Sequence, residues 1–237
     1  MQIKTLLMSA CCALGIAAGT AAAADVGTVK DNLLKNTGLE AESVRATPVP
    51  GLWEVFIQER MFYVDDSARY VLSGRLIDAQ TQEDLTQVRL REIARSRWNQ
   101  WPFEDAVKQV FGKGEREIIV FSDANCTYCR MMEKAYAEVG NLTVWTFIVP
   151  MLRGEENARE IVCSKDRSKA WHEWMGQGIR PAVSVAGCDT SVLRRNLELA
   201  HRYNVTAAPT FFFKTGDRST GAMPAYQLNS ILENAKN

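Results

Sequence analysis

The apolar and polar positions divide the chain into stretches of different period. From Asp25 onward, Val26, Val29, Leu33 and Leu34 recur at the spacing of one helical face and predict a short amphipathic helix. After Pro48 and Pro50, the segments 52–57, 61–64, 70–72 and 75–77 are short and β-branched or aromatic, broken by Asp65-Asp66 and Ser73-Gly74. They predict a small antiparallel sheet. Residues 83–98 are charge-rich around a thin stripe of Leu85, Val88 and Ile93, which predicts a solvated helix bridging two bodies. An aromatic stretch from Trp98 then runs to Gly112-Lys113-Gly114, where a domain boundary is expected.

Beyond residue 115 the period alternates in the manner of an α/β domain. The continuous apolar run 118–121 and a second, mainly apolar run 142–149 suit strands buried on both faces. Between them, Met131, Met132, Ala135, Tyr136 and Val139 share a helical face that stops at Gly140. Strand, helix, strand at this spacing is a βαβ unit, which requires a parallel pair with a right-handed crossover. Residues 155–204 read as mostly helical, 210–214 as a strand, Thr215-Gly216-Asp217 as a hairpin turn, and Pro224 as the opening of a last helix with Leu228, Ile231, Leu232 and Ala235.

Composition narrows the class. The chain has 237 residues, 46% of them apolar, and 28 basic against 28 acidic side chains, so it can build a core and lacks the electrostatic footprint of a nucleic-acid binder. Lys4 is the sole charge before Asp25; the apolar or small run 5–18 and Ala22-Ala23-Ala24 form the pattern of a secretory signal, expected to span 1–24 with cleavage near Ala24. No later segment is long and apolar enough for a membrane span, so no stable membrane insertion is expected. Residues 25–82 have no cysteine to staple so small a domain, which points to self-association.

Export changes the meaning of the cysteines. Cys11 and Cys12 leave with the signal, and Cys126, Cys129, Cys163 and Cys188 enter a compartment where disulfides persist. Structural zinc sites bring two closely spaced pairs, and here only Cys126-Thr127-Tyr128-Cys129 is close, so no metal is expected; His172 and His201 lack companion ligands. The Cys-x-x-Cys lies where a strand ends and a helix begins, and the positive end of the helix favours a thiolate on the first cysteine. Cys126 is therefore expected to attack a substrate disulfide, and Cys129, one turn along and more buried, to resolve the mixed disulfide. Cys163 and Cys188 have no such setting and read as structural. Ala208-Pro209 precedes a buried strand, where a proline is unusual unless its bond is cis or it stands first.

These residues resemble the periplasmic disulfide isomerases of the DsbC and DsbG family over the whole mature length. The stretches that carry the likeness are 121–129 (FSDANCTYC), 162–170 (VCSKDRSKA) and 186–189 (AGCD). The resemblance implies a small α+β, cystatin-like dimerisation domain (25–82), a linker helix and connector (83–114), and an α/β thioredoxin-like catalytic domain with a helical insertion (115–237). It implies Cys126 as nucleophile, Cys129 as resolving cysteine, Pro209 as cis-proline and Cys163–Cys188 as a structural bridge. Thr127, Tyr128 and Ala208 would tune redox poise and substrate grip. It further implies a periplasmic homodimer without cofactor that rearranges non-native disulfides in misfolded exported proteins, has chaperone-like activity, and is kept reduced by a DsbD-type membrane reductase. Two positions depart from the family's common pattern, with Thr127 in place of Gly and Ala208 in place of Thr. The alternatives are a dithiol oxidase and a disulfide-stapled chaperone or assembly factor whose Cys-x-x-Cys is dispensable.

Overall fold

The computed structural model describes residues 24–234 apart from 153, 182 and 184, so the expected signal segment lies outside the described residues but for Ala24. The first helix, α1 (Val26–Thr37), opens at Asp25, whose carboxylate accepts from Thr28 N at 2.8 Å, and closes at Gly38 in the left-handed region. Its buried stripe is narrower than expected, with Val29 and Leu33 inside and Leu34 at the surface. Four antiparallel strands follow in the order β1 (Ser43–Ala46), β2 (Leu52–Ile57), β3 (Arg60–Asp65), β4 (Val71–Leu72). The β2–β3 turn is Gln58-Glu59, both at positive φ, an arrangement whose twist matches the flanking strands. Residues 75–77, expected as a strand, form only an isolated bridge between Ile77 and Asp84.

Alternation along β2 and β3 sends side chains to two different helices. Trp53, Val55 and Val64 pack with Val29 and Leu33 of α1. Phe56, Met61 and Tyr63 face the other way, against Leu90 and Ile93 of α2 (Leu85–Ser96). The helix expected to be solvated is thus a wall of the first core. Its charges look solvated in the sequence, yet several face other parts of the protein instead of water alone. Arg89 pairs with Glu54 at 2.8 Å, and Arg97, just past the helix end, pairs with Glu59 and Glu42 at 2.9 Å each.

The second unit is a five-stranded sheet in the order β5 (Val107–Phe111), β7 (Leu142–Ile148), β6 (Arg116–Ser122), β8 (Thr210–Phe213), β9 (Arg218–Thr220). The β6–β7 pair is parallel and the others antiparallel. The crossover is α3 (Thr127–Val139); α4 (Glu156–Cys163), α5 (Arg167–His172) and α6 (Ser191–Arg202) form the insertion, and α7 (Ala225–Asn234) closes the chain. α3 and α7 cover one face through Met132, Ala135, Tyr136, Leu228 and Leu232. Trp98, Trp101, Leu199 and Val205 cover the other, over Ile119, Phe121 and Phe147.

The sheet begins earlier than the expected boundary at residue 115. In β5, Val107 and Gln109 are buried while Lys108 and Val110 are exposed, the period-2 pattern of an edge strand, which the lysine and glutamine disguise in the sequence. The aromatic connector is likewise part of this unit, since Trp98 and Trp101 lie in its core.

The β8–β9 turn touches α2 at Gly216, where φ is +86° and an added Cβ would lie 2.3 Å from the Arg91 carbonyl oxygen. Gly216→Ala is expected to destabilise the protein by well over ~1 kcal/mol, the scale of the backbone penalty alone. Gly187→Ala, with φ +75° and nothing within 4 Å, isolates that backbone penalty. Equal losses for the two in urea unfolding would contradict the close approach.

Candidate functional site

β6 ends at Ser122 and the next residues turn to place Cys126 as the N-cap of α3. The turn is internally bonded. Cys126 N donates to the Asp123 carbonyl at 3.0 Å, and the buried Asp123 carboxylate accepts from Asn125 N and from Leu152 N, each at 2.7 Å. The Asn125 side chain bonds Gly154 and Asn157, tying the turn to the insertion. These contacts give the first cysteine a defined place at a helix start.

Cys126 Sγ accepts from Cys129 N at 3.2 Å, satisfying one of the free N–H groups of the first helical turn, and lies 3.5 Å from the Ala208 carbonyl, to which the thiol donates. The Ala208–Pro209 bond is cis. Cys126, Cys129 and Ala208 therefore meet at one point, although 82 residues separate Cys126 from Ala208. Both thiols are free and both residues are buried, Cys126 at 5% and Cys129 at 2% exposure. Thr127 and Tyr128 project outward, Tyr128 at 64% exposure. A groove of about 460 Å³ runs past Cys126, walled by Tyr128, Leu152 and Thr206 to Ala208.

Burial pushes the Cys129 thiol up to about 12, and its hydrogen bond with Cys126 pushes the same way, against a smaller opposite effect from the Ser122 hydroxyl. Cys129 is thus stored as a neutral thiol at neutral pH. Cys163 and Cys188 form a disulfide that ties the end of α4 to the segment before α6, with Cα atoms 5.9 Å apart. Among the described residues no group of three or more His, Cys, Asp or Glu could hold a metal ion. His201 is exposed on α6, and His172 Nδ1 stands 3.8 Å from Glu133 Oε2.

Glu133, Asp123 and Trp174 were not singled out from sequence. Glu133 was legible in principle, because Cys129, Met132, Glu133 and Tyr136 form an i, i+3, i+4, i+7 stripe, and Met131, placed in the buried face by sequence, is in fact 58% exposed. The Glu133 carboxyl accepts from Gln109 Nε2 at 2.8 Å and Trp171 Nε1 at 2.9 Å. Burial pushes its titration above the ordinary 4.5, while these donors and His172 pull it back. The folded chain therefore holds this proton more tightly than the unfolded chain. The stability of the wild type relative to Glu133→Gln is expected to be greatest below about pH 4.5 and to shrink as pH rises through the raised value. Denaturant unfolding of both proteins between pH 4 and 8 measures this; a constant difference would refute it.

Comparison with known proteins follows the same two units. Residues 19–87 match the disulfide bond isomerase protein N-terminal domain and residues 103–236 a thioredoxin-like domain. A probable thiol:disulfide interchange protein DsbC of Bordetella parapertussis is 38% identical over 197 residues, covering 82% of this chain and 69% of that protein. The thiol:disulfide interchange protein DsbC of Escherichia coli K12 is 22% identical, covering 90% and 89%. Among solved structures, a disulfide interchange protein from Neisseria gonorrhoeae is 29% identical with a TM-score of 0.53, covering 58% of this chain and 99% of that one.

Proposed function

From the premise that this chain belongs to the DsbC family of thiol:disulfide interchange proteins, enzymes of the disulfide isomerase class with a thioredoxin fold, we propose that Cys126 and Cys129 carry its exchange reaction. The observation that carries the reading is the Cys126 sulfur capping α3, 3.5 Å from the Ala208 carbonyl, with the buried Cys129 one turn behind.

The Cys126 thiolate attacks one sulfur of a non-native disulfide. A new S–S bond forms between enzyme and substrate, and the other substrate sulfur leaves as a thiolate that takes a proton from solvent. That freed thiol, once deprotonated, attacks another substrate disulfide; when the last such attack falls on the mixed disulfide, Cys126 is expelled and the enzyme ends reduced. If no substrate thiol returns, Cys129 loses its proton and attacks Cys126 sulfur, releasing reduced substrate and leaving a Cys126–Cys129 disulfide. That disulfide must be reduced again, which is the role of a membrane reductase of the DsbD type. Ala207 and Ala208 border the groove with backbone groups for an extended substrate, and Tyr128 and Leu152 offer apolar contact to unfolded chain. Cys163–Cys188 pins the insertion.

The protein acts as a homodimer in the periplasm after removal of the signal near Ala24. Supporting this, β4 is an open edge of the first sheet, with Tyr70, Val71 and Leu72 half or more exposed. No helix among the described residues is long and apolar enough to cross a membrane. Refolding of a scrambled multi-disulfide protein tests the reading: wild type is expected to restore native pairing and Cys126→Ser to restore none. Equal activity of the two would assign the function to a chaperone surface instead.

A further inference from the structure

We propose that Trp174 is a positioning residue for disulfide exchange, fixing the path by which the backbone enters the helix start at Cys126; this rests on the reading of Cys126 as the attacking sulfur. The peptide group between Ala124 and Asn125 is gripped at both ends. Its N–H donates to Asp123 Oδ1 at 2.7 Å, and its carbonyl accepts from the Trp174 indole Nε1 at 2.7 Å. The next N–H, of Cys126, is already taken by the Asp123 carbonyl. Rotation about the bonds flanking this peptide would move the sulfur relative to Ala208 and to the N–H of Cys129, so the two grips together fix where the sulfur sits.

Trp174 comes from the insertion, far from the Cys-x-x-Cys in sequence, and its local backbone is unusual. It lies in a π-helical turn, Glu173–Gln177, which ends at Gly178 in the left-handed region. Such turns are rare and recur at functional sites because they reset the direction of a side chain relative to a regular helix. Here the turn continues α5 and delivers Trp174 against the core that contains Cys126 and Cys129. The ring face carries the Arg130 guanidinium at 4.8 Å from its centroid. Trp174 thus touches the chain just before Cys126 and just after Cys129. Trp171, one turn earlier, is an internal comparison: its indole N–H goes to Glu133 Oε1, on the flank of α3, and makes no bond to the turn.

The test uses the full chain and steady-state exchange with a disulfide-bonded peptide. Trp174→Phe keeps the ring and loses the N–H. A single hydrogen bond acting on the reacting geometry corresponds to roughly two- to tenfold in rate. Trp174→Phe is therefore expected to lower kcat by that factor with KM unchanged. Trp171→Phe is expected to lower the unfolding midpoint while leaving kcat within about twofold. Asp123→Asn disturbs the same peptide from its N–H side and, through the Leu152 N–H, the groove wall as well, so it is expected to lower kcat by a comparable factor and to shift KM besides; if Trp174→Phe does not fold, wild-type kcat in Asp123→Asn would overturn the proposal. Wild-type kcat in Trp174→Phe, or a loss in both tryptophan variants that follows their stability, would overturn the proposal. Full exchange by Cys126→Ser would instead overturn the underlying reading and leave the grip on the turn without a reaction to serve.

Discussion

Exchange by Cys126→Ser is expected to fall by ~10³-fold or more, because the removed atom is the nucleophile and no other thiol in the groove replaces it. Cys129 cannot substitute. It lies outside the lining of the groove that Cys126 borders, and burial pushes its thiol up to about 12, so substrate meets the first sulfur and the second stays protonated at neutral pH. Cys129→Ser is expected to give a different failure. The first attack remains possible, but the intramolecular escape is gone, so covalent enzyme–substrate adducts accumulate and vanish on adding dithiothreitol. Non-reducing electrophoresis with mass spectrometry reads both results. Adducts formed through Cys129 in the Cys126→Ser protein would reverse the assigned roles.

Trp101→Ala is expected to cost about 3 to 5 kcal/mol, the range for removing a large buried aromatic side chain. Trp101 is 8% exposed and stacks on Tyr203 at 4.3 Å, with Phe212, Phe147 and Phe121 at 5.1, 5.8 and 6.0 Å. These partners come from β6, β7, β8 and the end of α6, so the cavity left behind cannot be filled by moving one element. At about 2 to 4 °C per kcal/mol, thermal unfolding is expected to fall by roughly 10 °C. Tyr128→Ala, at an exposed position, is expected to change stability by less than about 0.5 kcal/mol. A Trp101→Ala loss below about 1 kcal/mol would mean that the connector only rests on the sheet.

The parts of the fold that were legible are those where one physical signal dominates. β6 carries the apolar run Ile118–Phe121, and β7 is apolar but for the buried Thr143 and Thr146, because both faces of the sheet are covered; α3 lies between them with a glycine stop. β1 has no sequence signal, since Ser43 to Ala46 is half-buried or exposed and carries no apolar alternation. β5 was missed because its outward lysine and buried glutamine mask the period, and Gln109 is buried only because Glu133 receives its amide. The charges of α2 suggest a solvated helix, while Leu90 and Ile93 supply its packing. At the site, the Cys-x-x-Cys and Ala208-Pro209 stand out as local patterns. Trp174 has no local signature, since its role depends on which carbonyl the folded insertion brings beneath it.

The double engagement of α2 has a consequence for recombination between modules. The first sheet has Ile93 of α2 on one face, and Arg97 secures its β2–β3 turn through Glu59, so its natural unit runs through residue 97. A chimera that joins this N-terminal module to a foreign catalytic partner should carry the helix as cargo and be spliced after it. Splicing at residue 82 would strip Phe56, Met61 and Tyr63 of their cover and leave the transplanted half with an oily flank.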